Sequence, residues 1–220
     1  MNFFIQHLFE PESRFYYLAW ILVVTISIVL HELAHGWMAI RRGDDTPIRL
    51  GRMTGNPLVH MGPFSLAVLA LLGIAWGQMP IDPGRLRGRY AEAAVAAAGP
   101  GMNLFLAVVS LVSLGLILRF VGADVLGAQW MQNLTEVLWI AGVANLVLML
   151  FNLMPVPPLD GSHILANFHR GYAQFIGDPE KQGMFFLGFA GAFLLTGAVL
   201  WPWAGDLADT VVRLVMTVGA

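Results

Sequence analysis

The stretch Val29–Met38 reads VLHELAHGWM and holds His31, Glu32 and His35 within five residues. On an α-helix, side chains four apart stack on one face, so the two imidazoles can reach one metal ion without bending the backbone. A glutamate directly after the first histidine can act as general base toward a water that the metal activates. Zinc suits such a set: it binds imidazole and carboxylate, and catalytic sites keep one position open. The chain contains no cysteine, so a third protein ligand must be Asp, Glu or His. Asp160, in FNLMPVPPLDGSHIL, is the best candidate, because the run Val137–Leu159 before it is free of Asp, Glu, Lys and Arg. Pro155, Pro157 and Pro158 forbid a regular helix just before it, and Gly161 lets the chain turn. Asp160 also has the position of an N-cap for the helix that follows, and both readings stand.

These residues lie in an apolar chain. Of 220 residues 57% are hydrophobic and 12% charged, against about 25% charged in an ordinary soluble domain. Phe15–Leu30, running on into the histidine motif, Ala93–Leu118, Val137–Leu159 and Gln182–Gly205 carry no Asp, Glu, Lys or Arg. Each approaches or exceeds the roughly 20 residues that span a bilayer. The expected fold is an all-α polytopic membrane protein with about four to six membrane segments, built as one membrane-embedded domain over residues 1–220. Its core covers about 15–170, and 171–220 holds a last span and a tail that is either an interfacial helix or one more short span. Three ionisable groups inside a span are costly and mark a functional site. Arg41 follows His31 by ten residues, about 15 Å along a helix, which sets the motif near mid-bilayer. The net charge is −2 with no basic run, which argues against nucleic acid as a partner. The N-terminus has no cleavable signal pattern.

Residues 46–62, TPIRLGRMTGNPLVHMG, partly alternate apolar and polar around the turn signal TGNP. They read as a short β-hairpin or looped ribbon, or as a plain linker. The ribbon reading supplies an edge on which an unwound substrate strand could pair. Pro63–Met79 is apolar but short. Arg41, Arg42, Arg49 and Arg52 precede it and Arg85, Arg87 and Arg89 follow it. Arg and Lys accumulate in cytoplasmic loops, so the favoured reading is a re-entrant segment that enters and leaves on the cytoplasmic side.

HELAH in a first span, AGPGMN opening a later one and NLMPVPPLDG together resemble the site-2 protease family of intramembrane zinc metalloproteases. GRMTGNPLVH resembles a further motif of the small prokaryotic branch that has no inserted PDZ domain. The resemblance covers about residues 16–170 in the family's order. It implies one zinc per chain held by His31, His35 and Asp160, with Glu32 as general base. It implies cleavage of transmembrane segments of membrane protein substrates within the lipid bilayer of a prokaryotic cell membrane, at a site open to the cytoplasm. Asn152 matches the start of the Asn-x-x-Pro motif and would contact substrate or an oxyanion, or else satisfy backbone freed by the broken helix. Asn103 is read as a bond between helices or a support behind the ligands. His60 has a loop or supporting role, since Gly62 stands where the branch commonly has Asp. His163 is interfacial, and His7 and His169 have no role. Competing readings are a membrane transporter and a non-catalytic client-binding protein with an intramembrane metal. No inverted repeat supports the first, and the intact Glu32 argues against the second. Substrate identity and oligomeric state are not legible.

Overall fold

The computed structural model describes residues 4–217. A single turn, α1 (Gln6–Phe9), leads into α2 (Arg14–Arg41), which carries the histidine motif in its C-terminal half. α2 stops at Arg42, and Gly43, with φ 98°, turns the chain away. A short turn α3 (Thr46–Arg49) and then α4 (Pro57–Leu72) follow. No strand occurs among the described residues, so the ribbon expected over 46–62 is not formed. The reason is local. Asn56 caps α4 by accepting from the Leu58 N–H, and Pro57 occupies the first turn, where its missing N–H costs nothing. Asn-Pro is here a helix start rather than a hairpin turn.

α4 breaks at Gly62 (φ 69°, ψ 168°), after which Pro63 restarts the helix. That backbone region is open essentially to glycine alone. Gly73, left-handed at φ 75°, ends α4 and reverses the chain. The tip is held against the start of α2: the Tyr17 hydroxyl donates to Ala70 O (3.0 Å) and the Trp20 indole to Gly73 O (2.9 Å). Residues 74–82 then run back beside α4. The Trp76 N–H donates to Ser65 Oγ (2.9 Å) and the Gln78 N–H to His60 O (3.1 Å). The Asp82 N–H reaches Asp44 Oδ2 (2.8 Å) and the Arg87 N–H reaches Arg42 O (2.7 Å), at the charged end of α2. Both ends of the segment therefore lie at one end of α2, the shape expected of a re-entrant element. A return this short must be extended, since a residue spans about 3.3 Å extended and 1.5 Å in a helix.

α5 (Ala91–Phe120) is the central helix and contacts α2 and three helices of the C-terminal half of the chain. A turn α6 (Ala123–Leu126) leads to α7 (Gln129–Asn152), which packs along α5 and α2. After the prolines come α8 (Asp160–Phe168), lying on α5, and the short α9 (Arg170–Ile176). α10 (Gln182–Leu195) continues through a π-helical turn at Thr196–Leu200 into α11 (Trp201–Thr217). The tail is part of the bundle: Ala204, Ala208 and Val212 are buried with Ala107, Leu111 and Leu114 of α5 and Val143 and Val147 of α7. α10 by contrast is apolar all round, with Phe186, Leu187 and Leu194 71–72% exposed. Such a surface suits lipid rather than water. Four helical runs among the described residues are long and apolar enough to cross a membrane, and the chain is a multi-pass membrane protein.

Candidate metal centre

His31 and His35 project from one face of α2, their ring centroids 4.6 Å apart. Asp160 is the first residue of α8. No side chain caps that helix, so the capping alternative is not taken. Its carboxylate instead faces the histidines, with Oδ2 3.2 Å from His31 Nε2 and Oδ1 3.3 Å from His35 Nε2. A Cβ at Gly161 would overlap the Leu153 carbonyl, so the turn that aims Asp160 requires glycine there.

The protons on the rings follow from their outer partners. His35 Nδ1 lies 2.7 Å from the Val95 carbonyl, which can only accept. His31 Nδ1 lies 2.6 Å from Asn103 Oδ1, also an acceptor. Both Nδ1 atoms thus carry the hydrogen and both Nε2 atoms present lone pairs. Those two nitrogens are 3.0 Å apart, and Asp160 adds carboxylate oxygens to the same point. Asp160 Oδ2 is buried without a hydrogen-bond donor. Acceptors gathered in this way repel one another unless a cation sits among them. The three side chains could hold a metal ion, their ligand atoms all lying within 4.8 Å of one another. Zinc takes two imidazoles and a carboxylate in this way and keeps a fourth position for a reactant.

Backbone approaches the site closely from two sides. A Cβ at Gly99 of α5 would fall on the Nε2 atoms of both His31 and His35, so the helix can back the site only as glycine. On the other side, a Cβ at Gly77 would lie 2.7 Å from Glu32 Oε1, which brings the extended segment directly over Glu32. Glu32, the two histidines and Asp160 line one cavity of about 820 Å³, bounded also by Gly77 and by Phe193 of α10.

The other expected residues fall out unevenly. Asn103 is completely buried and touches His31 directly, as a support behind a candidate ligand. Asn152 lines the cavity, and one of its amide hydrogens goes to the Leu148 carbonyl at 2.9 Å. His60 is buried outside the cavity lining; its Nε2 meets Thr54 O at 2.7 Å and its carbonyl holds Gln78. It therefore positions the re-entrant segment. His163 lines the cavity but is not among the three grouped side chains. Sequence reasoning missed Asn145, which bonds Asn103, and Gly77. The available signal for Asn145 was an amide in the middle of the apolar run Val137–Leu159, which also holds Asn152.

The model of peptidase family M50 matches residues 114–195. The chain is 34% identical over 215 residues to YwhC of Bacillus subtilis, a protein named as a zinc metalloprotease, with 95% of both chains covered. It is 31% identical over 182 residues to Rip2 of Mycobacterium tuberculosis, also named as a zinc metalloprotease, covering 77% of this chain and 62% of that one. No solved structure gives a significant match. HELAH in the first span, a carboxylate delivered to it across the bundle and a relative 34% identical over 95% of both chains agree, and the chain belongs to peptidase family M50, the site-2 protease family of zinc metalloproteases.

Proposed function

We propose that this protein is an intramembrane endopeptidase that cuts transmembrane segments of other membrane proteins, with His31, His35 and Asp160 as the zinc ligands and Glu32 as general base. The observation that carries the reading is the convergence of three acceptor groups from α2 and α8 on one point beside Glu32, inside helices apolar enough to lie in lipid. Zinc would supply Lewis-acid polarisation of the scissile carbonyl and a lowered pKa for the attacking water. Val95 and Asn103 keep the Nε2 atoms free of protons. Glu32 takes the water's proton and returns it to the leaving amine. Asn152, on the cavity wall, has a second amide hydrogen available for the developing oxyanion.

Access and substrate engagement follow the same geometry. The arginine-rich ends of α2 and of the re-entrant segment argue for a site open to the cytoplasm of a prokaryotic cell. A helical substrate hides its carbonyls, so it must unwind before it is cut. The edge for an unwound strand is 74–81 rather than 46–62. Trp76 and Gln78 bond toward α4, and residues alternate sides in an extended chain. Gly77, between them, faces Glu32. Main-chain pairing there would lay a peptide across the metal.

The test is cleavage of a defined transmembrane substrate in liposomes by wild type and Glu32→Gln, with zinc measured on both. Glu32→Gln is expected to keep its zinc and lose cleavage by about 10²- to 10⁴-fold. Equal cleavage by the two proteins would rule out Glu32 as the base. Loss of zinc from Glu32→Gln would mean that it binds the metal.

A further inference from the structure

Behind His31 the hydrogen bonding continues beyond Asn103. Asn103 Nδ2 donates to Asn145 Oδ1 at 2.8 Å. Asn145 Nδ2 donates to the Ala141 carbonyl and to Ser27 Oγ, each at 2.9 Å. The three side chains come from α5, α7 and α2 and are 0%, 1% and 2% exposed. Ser27 lies one turn before His31 on α2, so the bonds close a circuit from α2 through α5 and α7 and back.

The circuit has a direction. An amide side chain can be placed either way round, and only its partners decide which end is oxygen. The Ala141 carbonyl can only accept, so Asn145 must turn Nδ2 toward it. Asn145 Oδ1 then faces Asn103 and demands a donor. Asn103 answers with Nδ2, which leaves its Oδ1 toward His31 Nδ1. His31 must therefore carry its hydrogen on Nδ1 and present Nε2 bare. A backbone carbonyl on α7 thus selects the tautomer of a ring on α2. His35 gets the same result in one step from Val95 O. His31 has no backbone carbonyl at Nδ1 and uses two buried amides instead.

We propose that Asn145 is a positioning residue for the metal centre, acting through Asn103 to fix the tautomer and plane of His31. This rests on the reading of His31 as a zinc ligand. Outer partners of this kind hold a ligand in its binding form, and losing one typically costs about 10- to 100-fold in metal affinity.

The experiment measures zinc affinity by chelator competition, and Co²⁺ absorption bands, on the purified full chain in detergent. Asn145→Leu keeps the branched four-atom shape of the side chain and removes both polar ends of the amide. It is expected to weaken zinc by about 10- to 100-fold and to shift the Co²⁺ bands. Asn103→Leu should do the same, and the double variant should lose no more than Asn103→Leu alone, because the two act in series. Thr196→Val removes a buried hydroxyl that bonds Ala192 O in its own helix and lies outside the cavity lining, and it should leave zinc affinity and the bands unchanged. Wild-type affinity in folded Asn145→Leu, or fully additive losses, would overturn the proposal. If Asn145→Leu does not fold, ¹⁵N spectra of the histidine rings in the zinc-loaded wild type decide: hydrogen on His31 Nδ1 is expected, and hydrogen on Nε2 overturns it. His31→Ala separates the two ideas. If it keeps full zinc affinity, the ligand reading fails. If it loses zinc while Asn145→Leu does not, only the positioning role fails.

Discussion

At Gly99, α5 packs directly on His31 and His35. A methyl group there would fall on both Nε2 atoms. Overpacking of this kind costs about 1–3 kcal/mol, so Gly99→Ala should lower zinc affinity by about 10- to 100-fold. Zinc retained after dialysis against a chelator is the readout, and unchanged retention would mean that α5 can withdraw from the histidines. Residues such as His31, Glu32 and His35 are legible in sequence because their relation is local: a four-residue spacing stacks the two imidazoles on one face, and Glu32 follows directly after the first. Asp160 is legible for a different reason, as a lone carboxylate after a long apolar run and three prolines. Asn145 carried no such mark. Its role exists only once α5 and α7 are packed, and a single amide in a span has many packing explanations.

At the scale of the element, the re-entrant segment depends on a few backbone decisions. Gly62 has φ 69° and ψ 168°, and nothing lies within 4 Å of where its Cβ would be. Gly62→Asp, which restores the residue common in the branch it resembles, meets no clash but must adopt a glycine-only backbone. The expected loss is about 1–3 kcal/mol, read as a lower melting temperature in detergent. This conformation also explains why the segment 46–62 was misleading. Its alternation resembles a ribbon, but Asn56-Pro57 and Gly62-Pro63 are helix starts, and the extended chain lies later, at 74–82. The far end of the segment is clasped by Asp44, whose carboxylate accepts from the Thr46 and Asp82 amides. Burial would raise its pKa, but the Thr46 and Asp82 hydrogen bonds and the Arg85 charge outweigh this and hold it below the usual value. The clasp's stabilisation is therefore full above about pH 4, the unfolded value, and is lost as pH falls through the lower folded value. Asp44→Asn should flatten that acid limb in a melting curve taken against pH. An unchanged limb would assign acid sensitivity elsewhere.

Across the whole molecule, the bundle sorts its charges by end. The Arg87 N–H bonds the Arg42 carbonyl and the Arg85 guanidinium bonds Asp45, while Asp124 lies in α6 between α5 and α7. The chain has no native cysteine, so single cysteines at 42, 85 and 124 can be labelled one at a time in sealed vesicles. Positions 42 and 85 should react from the same face and 124 from the opposite one; labelling of 85 from the face of 124 would make Pro63–Met79 a full crossing. The all-helical bundle was readable from hydropathy because lipid forces backbone bonds inward. The joining of α11 to the core was not, since its packing on α5 depends on small residues, Ala204 and Ala208, that hydropathy does not distinguish. The relay behind His31 has one more consequence, which concerns charge balance. It is made of two amides and a hydroxyl, none of which ionises. With the proposed ligand set, the carboxylates of Asp160 and Glu32, when both are ionised, would offset a divalent ion in full and leave the centre electroneutral. In a medium where an uncompensated charge costs several kcal/mol, that neutrality lets a metal site sit among lipid-facing helices. An aspartate in place of Asn103 would orient His31 equally well and leave the centre one charge too negative.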